Sequence, residues 1–166
     1  MSIELLAARR PTIRVCGIST RTNNSLEVDP TTSRIGPLWK QMESATWPVE
    51  ISGVENPDLY CVYHDYENRD LGDYSVAIGV VLRGGTEEIP EELDIVTIPE
   101  GVYGSLGCGP GRLPDIVLLG WKSVWENTAP DGPIHRAFTA DYELYIPGRQ
   151  DSREAFVHLV IGLEAV

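Results

Sequence analysis

The feature that most constrains the fold of this chain is an internal repeat. The triplet Asp-Tyr-Glu occurs at residues 65–67 and again at residues 141–143, each time inside a strand-like run, CVYHDYENR and AFTADYELY. Each copy is followed by a polar segment and then by a β-branched run, YSVAIGVVL in one case and AFVHLVIGLE in the other. Self-similarity of this kind indicates a duplicated supersecondary unit. We therefore expect two strand–turn–strand hairpins, with turns at Gly72 and at Pro147–Gly148.

A leading strand and a helix precede each predicted hairpin. The leading strands are TIRVCGIS in the first half and GVYGSLG in the second. The first helix is expected at about residues 32–45, with a late start because Pro37 fits only in the first turn. The second helix is expected in PDIVLLGWKSVWEN, beginning at Pro114 and Asp115. The apolar residues at helical spacing are Ile35, Leu38, Trp39 and Met42 in the first helix, and Val117, Leu118, Trp121 and Trp125 in the second.

Each half of the chain therefore has the order βαββ. We place the halves at about residues 11–83 and 94–164, with an acidic connector at 84–93. Hairpins joined through one helix per half predict an α+β fold, a mostly antiparallel sheet with two main helices and pseudo-two-fold symmetry. A chain of 166 residues with 42% hydrophobic content is long enough to bury one core, so we expect a single domain over residues 1–166. The two triplet-bearing strands would then face a common centre.

The charge balance bears on the class of partner. The chain has 13 basic and 25 acidic residues, a net charge of −12, which repels nucleic acid and anionic membranes and attracts cations. No apolar run approaches the roughly 20 residues of a membrane span, and the apolar run near the N-terminus is too short for a signal peptide. Cys16, Cys61 and Cys108 are isolated, which favours buried thiols in a reducing compartment. We expect a cytoplasmic protein, either a monomer or a weak homodimer, without direct nucleic-acid or membrane binding.

Five segments, taken in order, carry a family resemblance. The segments IGPLWKQ, DYSVAIGVV, IPEGVYGSLGC, GWKSVWE and FTADYELYIP together resemble the GyrI-like small-molecule-binding domains. These are the effector-binding domains of AraC-type and MerR-type multidrug regulators and their stand-alone relatives. The resemblance covers about residues 11–164. It implies a duplicated βαββ fold with a cleft near the pseudo-axis, in which lipophilic and often cationic ligands lie among aromatic side chains against an acidic residue.

The resemblance assigns one acidic residue to the ligand. The family keeps a glutamate in an aromatic-Glu-x-Tyr pattern on its penultimate strand, and here that pattern begins at Tyr142, so the resemblance implies Glu143 as the anionic contact. Regulators of the family also have a DNA-binding helix-turn-helix. No segment of this sequence suits one, and its acidic charge is wrong for one, so we expect a stand-alone binder rather than a transcription factor.

The strand pattern around Glu143 fits this role. Alternate residues of a strand share a face, which places Thr139, Asp141, Glu143 and Tyr145 together and leaves Phe138, Ala140, Tyr142 and Leu144 for the core. A partly buried carboxylate is costly unless a cation offsets its charge, and each aromatic face adds roughly 0.5–2 kcal/mol for that cation. The alternative is an ordinary exposed strand glutamate. Glu67 of the first triplet runs into a turn, so we expect it to be exposed.

The predicted aromatic walls of the cleft come from both helices and from four strands. Trp125 is the strongest candidate, since it lies at the polar edge of its helix beside Glu126 and Asn127. Each of these aromatic residues, taken alone, is also compatible with a place in the core. The candidate ligand-binding residues are Glu143, Trp125, Trp121, Trp39, Tyr103, Tyr145, Tyr63 and Phe156.

Two other functions remain open at the level of sequence. A hydrolase acting on a reactive small molecule would use Glu143 with a raised pKa, hydrogen-bonded to Tyr103 or Tyr145. An acidic interaction module would mimic nucleic acid towards a basic partner such as a topoisomerase.

We expect neither a cofactor nor a metal. Cys61 and His64 are three residues apart on a strand and point to opposite faces, and the glycine-rich segment GVYGSLGCGPGRLP lacks the ending of a phosphate-binding loop.

Overall fold

The computed structural model of the protein describes residues 5–50, 58–84, 88–146 and 153–164. These residues form a single eight-stranded sheet with helices on one face. In chain order the elements are β1 (Leu6–Arg10), β2 (Ile13–Thr22), α1 (Asn24–Glu27), α2 (Ile35–Glu43), α3 (Trp47–Glu50), β3 (Leu59–His64), β4 (Tyr74–Val81), β5 (Asp94–Ile98), β6 (Gly101–Gly111), α4 (Asp115–Asn127), β7 (Arg136–Tyr145) and β8 (Ala155–Leu163).

The order of strands in the sheet is symmetric. It reads β1-β6-β8-β7-β3-β4-β2-β5, and every neighbouring pair is antiparallel. Exchanging β1–β4 with β5–β8 reverses this order onto itself, so a pseudo-two-fold axis passes between the central strands β3 and β7. The predicted α+β fold with duplicated halves is confirmed.

Two outer strands were missed by the sequence pattern. β1 precedes the predicted start of the first half and pairs with β6, whereas β5 follows the acidic connector and pairs with β2. Each half thus contributes its first strand to the edge of the other half. The apolar stretches at residues 6–8 of β1 and 95–96 of β5 are too short to predict a strand, and the residues of β1 are almost all exposed.

The two Asp-Tyr-Glu triplets do not occupy equivalent positions. The second lies within β7, but β3 ends at His64 and the first triplet begins the turn that follows, with Asp65 at φ 51°. Aspartate tolerates this left-handed conformation better than most residues. In the β3–β7 ladder Glu143 pairs with Cys61. The two triplets, 76 residues apart, are therefore alike in sequence but do not occupy equivalent positions in the sheet. The side chain of Glu67 is 66% exposed, as expected.

The strand β7 separates two parts of the core. Tyr142 packs with Val62 and Val160 on the face away from α2 and α4. On the other face, α2 covers one apolar cluster and α4 covers another, and the half-buried side chains of Tyr63 and Tyr145 belong to both clusters. Both helices therefore lie over the central strands on the side to which Glu143 points. The three cysteines are buried and unbridged, as predicted.

The helices begin close to their predicted positions. α2 is shorter than expected, but Pro37 lies in its first turn, and the Glu27 carboxylate accepts hydrogen bonds from the backbone amides of Arg34 (2.9 Å) and Ile35 (3.2 Å) at its start. Gly72 lies in the β3–β4 turn as predicted, whereas Pro147–Gly148 lies outside the described residues. Within the described ranges no helix is long and apolar enough to cross a membrane.

Candidate functional site

A cavity of about 420 Å³ lies between α2 and α4 above the central strands. It therefore sits near the pseudo-two-fold axis, where the two halves meet. Its lining residues are Asn24, Glu27, Ser33, Ile35, Gly36 and Trp39 from the α1–α2 region, Tyr63, Tyr66, Asp70 and Tyr74 from β3, β4 and their turn, Pro114, Val117, Leu118, Trp121 and Trp125 from α4, and Arg136, Glu143 and Tyr145 from β7.

The carboxylate of Glu143 is held by three hydrogen bonds. Its Oε2 accepts from the Tyr63 hydroxyl and from the Trp121 indole Nε1, each at 2.7 Å, and its Oε1 accepts from the Tyr145 hydroxyl at 2.6 Å. The three donors come from three elements, β3, α4 and β7 itself. Since Glu143 is only 2% exposed, these bonds replace most of the hydration of the carboxylate.

Within the described residues, no basic side chain forms an ion pair with Glu143. Burial raises the pKa of Glu143, and the three hydrogen bonds oppose that rise without cancelling it. Burial also raises the pKa values of Tyr63 and Tyr145, so both hydroxyls stay protonated as donors. The site therefore contains a buried acid whose ionised form is disfavoured by burial and has no basic partner among the described residues.

Aromatic rings surround this acid. The Trp39 ring meets Tyr145 edge-on at a centroid distance of 4.8 Å, and the Tyr63 ring meets Trp121 edge-on at 5.1 Å. Trp121 and Trp125 lie one helical turn apart on α4, so their rings stack, at 6.0 Å and an interplanar angle of 28°. Trp125 is 46% exposed, which places it where the cavity opens to solvent.

Most of the predicted site residues meet at this cavity, but two do not. Those that line it are Glu143, Trp125, Trp121, Trp39, Tyr145 and Tyr63. Tyr103 is buried on the opposite face of the sheet, where its hydroxyl donates to the Pro99 carbonyl at 2.6 Å and burial raises its pKa to about 12. Phe156 also points away from the helices, because its neighbour Val157 faces α4; its ring contacts His158 edge-on at 5.2 Å. Neither belongs to the cavity.

A second polar cluster was missed by sequence reasoning. The guanidinium of Arg136 pairs with the buried carboxylate of Asp141 at 2.7 Å, and the Tyr66 hydroxyl donates to the same oxygen at 2.6 Å. The other oxygen of Asp141 accepts from the Gly162 amide at 2.8 Å. Arg136 and Tyr66 line the cavity, so a tyrosine of the first triplet supports an aspartate of the second. The available signal was an arginine five residues before an aspartate on one strand. Their pairing depends on the bulged part of β7 at Phe138, where φ is 55°, and the sequence does not predict that bulge.

A duplicated antiparallel sheet that holds a buried acid and aromatic walls beneath two helices defines a ligand-binding domain. The family model described as Cass2, integron-associated effector binding protein, matches residues 8–162, and the chain belongs to this family. That match confirms the GyrI-like resemblance and an effector-binding class. The chain is also similar to YobU, a candidate transcriptional regulator of Bacillus subtilis (strain 168), with 26% identity over 152 residues that cover 91% of this chain and 92% of YobU.

Two solved structures share the fold. The integron cassette protein VCH_CASS2, from the mobile metagenome of Vibrio cholerae, superposes with a TM-score of 0.72 at 21% identity and covers 96% of this chain and 95% of its own. SAV2435 bound to tetraphenylphosphonium superposes with a TM-score of 0.74 at 13% identity and covers 98% of this chain and 95% of its own. At these identities the likeness concerns the fold alone.

Proposed function

We propose that this protein binds lipophilic organic cations in the cavity between α2 and α4, in order to sense or sequester them. Glu143 is the anionic contact, and Trp39, Trp121, Trp125 and the adjacent tyrosines are the aromatic walls. The observation that carries the proposal is the buried Glu143 carboxylate, which has three neutral donors and no basic partner among the described residues.

The physical argument begins with the cost of that charge. An ionised carboxylate out of water loses several kcal/mol of solvation, and neutral donors recover only part of it. A ligand cation in the cavity supplies the missing attraction at low dielectric, where it is stronger than in water. The indole faces of the walls add roughly 0.5–2 kcal/mol each for a cation. A cavity of about 420 Å³ is within the usual range for small-molecule sites.

Two further observations support the assignment. The chain carries a net charge of −12, which raises the local concentration of cations near the cavity mouth. A protein of the same fold, SAV2435, has been solved with tetraphenylphosphonium bound. That compound is a bulky cation with four aromatic rings, and it is therefore a suitable first probe.

The test compares two probes of the same shape and opposite charge. Tetraphenylphosphonium and the tetraphenylborate anion would be titrated into the protein while tryptophan fluorescence is followed, since Trp121 and Trp125 lie at the cavity. We expect saturable quenching by the phosphonium and none by the borate. In Glu143→Gln the affinity for the phosphonium falls tenfold or more, about 1.4 kcal/mol.

The matched control is Glu67→Gln, which removes the same charge from the exposed glutamate of the first triplet. Its affinity for tetraphenylphosphonium stays at the wild-type value. Equal binding of both probes, or an equal loss of affinity in the two variants, would overturn the proposal, because the cavity acid would then have no specific part in recognising the cation.

A further inference from the structure

Arg136 lines the cavity, and part of its guanidinium has no hydrogen-bond partner among the described residues. Arg136 is 3% exposed, yet it lines the cavity near Trp121. Its Nη2 donates to Asp141 at 2.7 Å and more weakly to the Tyr66 hydroxyl at 3.4 Å. Its Nε and Nη1 have no hydrogen-bond partner within the residues that the structure describes. An arginine side chain has five N–H donors, so a large part of this one is unsatisfied.

The neighbouring groups do not relieve this deficit. The ring of Phe138 lies 4.2 Å from the guanidinium carbon and that of Trp121 lies 5.7 Å away, which stabilises the charge without satisfying the N–H groups. Asp141 is already engaged, because one oxygen serves Arg136 and Tyr66 and the other serves the Gly162 amide. Buried donors without acceptors are rare in native proteins, so the free N–H groups of Arg136 call for a structural or functional reason.

We propose that the ligand of this cavity also carries a hydrogen-bond acceptor, to which Arg136 donates. This inference rests on the proposed function and narrows it, from lipophilic cations in general to cations that bear an acceptor group. Trp121 is close to both contacts, since its indole N–H bonds to Glu143 while its ring lies beside Arg136. The positive centre and the acceptor of the ligand would therefore both lie near this indole.

The acceptor is a neutral group such as a carbonyl or an amide. The carboxyl side chains of Glu27 and Asp70 line the same cavity as Glu143, so an anionic group on the ligand would meet like charges. The charge of Arg136 is already countered by Asp141 at 2.7 Å, which leaves its N–H groups rather than its net charge for the ligand.

The test uses two phosphonium ions that differ only in the acceptor. (4-Carbamoylbutyl)triphenylphosphonium and (5-methylhexyl)triphenylphosphonium have the same length and shape, because an isopropyl group replaces the amide. Their dissociation constants would be measured by calorimetry for the wild type and for the double variant Arg136→Met/Asp141→Asn. The double variant neutralises both members of the buried pair, so that neither is left as an unpaired charge. The Asp141→Asn change retains a side-chain oxygen that accepts from the Gly162 amide.

A second variant, Arg136→Lys, allows the test to be made even if the double variant does not fold. Arg136→Lys keeps a positive charge beside Asp141 but lacks the planar fork of N–H donors. Arg69→Met is the matched control, because the Arg69 guanidinium lies 5.0 Å from the same Phe138 ring without lining the cavity. Thermal unfolding of each variant shows which of them are folded.

The measured quantity is the ratio of the two dissociation constants. We expect this ratio to shift tenfold or more against the amide in the double variant and in Arg136→Lys, about 1.4 kcal/mol, and to stay unchanged in Arg69→Met. If the isopropyl probe binds and the ratio is the same in all proteins, the inference is overturned while the proposed function stands. If neither phosphonium binds the wild type, both are overturned.

Discussion

Replacing Glu143 by glutamine tests whether the buried acid is kept at the expense of stability. The amide fits the three existing hydrogen bonds with one adjustment. The indole of Trp121 can only donate, so the glutamine oxygen takes the place of Oε2, where it also accepts from Tyr63. The NH₂ group then takes the place of Oε1, and the Tyr145 hydroxyl turns to accept from it. Each polar group of the cluster thus keeps at least one hydrogen-bond partner, although the Tyr145 hydroxyl no longer donates to residue 143.

The expected change in stability is the difference between two effects. Hydrogen bonds to a charged group contribute about 1.5–3 kcal/mol and neutral ones about 0.5–1.5, so Glu143→Gln forfeits about 1 kcal/mol for each of its three bonds. Against this, removal of a buried charge returns several kcal/mol of solvation free energy. The raised pKa of Glu143 indicates that desolvation is the larger effect. We therefore expect the variant to be more stable than the ligand-free wild type near pH 8, by about 1.4 kcal/mol for each unit by which the pKa is raised.

The pH dependence of the free energy of unfolding tests the same prediction in a second way. A carboxyl with a folded-state pKa above its unfolded value of 4.5 binds more protons in the folded state. Its contribution to stability is complete below the unfolded pKa and is lost as the pH rises through the folded pKa. The wild type therefore loses stability relative to Glu143→Gln over this window, whereas the two proteins differ less below it.

Urea unfolding followed by tryptophan fluorescence, without ligand, measures this difference. Glu67→Gln is the control for the loss of one negative charge from a protein of net charge −12. If Glu143→Gln were less stable than the wild type near pH 8 by about 1 kcal/mol or more, after correction by the control, the three donors would hold the ionised carboxylate at a net gain. That result would refute the reasoning that the acid needs a ligand cation.

Three further predictions follow from the same geometry. Affinity for tetraphenylphosphonium should rise with pH through the folded pKa of Glu143, because the cation binds the ionised form; a flat profile in calorimetry would contradict this. Trp121→Phe removes the indole N–H that donates to the buried Glu143 carboxylate, so it should lower the free energy of unfolding by about 1–3 kcal/mol and weaken phosphonium binding. Trp125→Phe, at the exposed mouth of the cavity, is the control and should unfold in urea like the wild type. Tyr103→Phe should cost about 1 kcal/mol of stability through the lost bond to Pro99, yet leave phosphonium affinity unchanged, since it lies on the opposite face.

The fold was predictable where the sequence has continuous apolar runs. β3, β4, β7 and β8 each bury both faces over part of their length, which produces the runs that marked the hairpins. The two main helices carry apolar residues at a period of 3.6. β1 and β5 were missed because the apolar stretches of these edge strands are short, and because their exchange between the halves depends on pairing across the whole sheet.

The sequence predicted which residues of β7 share a face, but it did not predict which side chains from other elements meet them. Alternation on β7 places Glu143 and Tyr145 on one face, and both line the cavity. Alternation along one strand does not show which residues of another strand lie on the same face of the sheet. Tyr103 and Phe156 lie on the face away from α2 and α4. The pairing of Arg136 with Asp141 depends on a bulged segment of β7, which no periodicity predicts.

The asymmetry of the site follows from how the two halves have diverged. The cavity lies near the pseudo-axis, so both halves supply its walls, Trp39 through α2 and Trp121 through α4. Across the β3–β7 ladder, however, the residue paired with Glu143 is Cys61, whose thiol pKa burial raises well above its ordinary value, so that it stays neutral. A symmetric site would place two buried acids side by side, and their mutual repulsion would force one to remain protonated. With the first triplet in a turn and a neutral thiol opposite Glu143, the cavity has one buried carboxylate that lacks a basic partner among the described residues, and it lies beside aromatic walls from both halves. Under the function proposed above, such a site would recognise the positive centre of the ligand by charge and its apolar part by shape, and the contact with Arg136 would select among the lipophilic cations that fit.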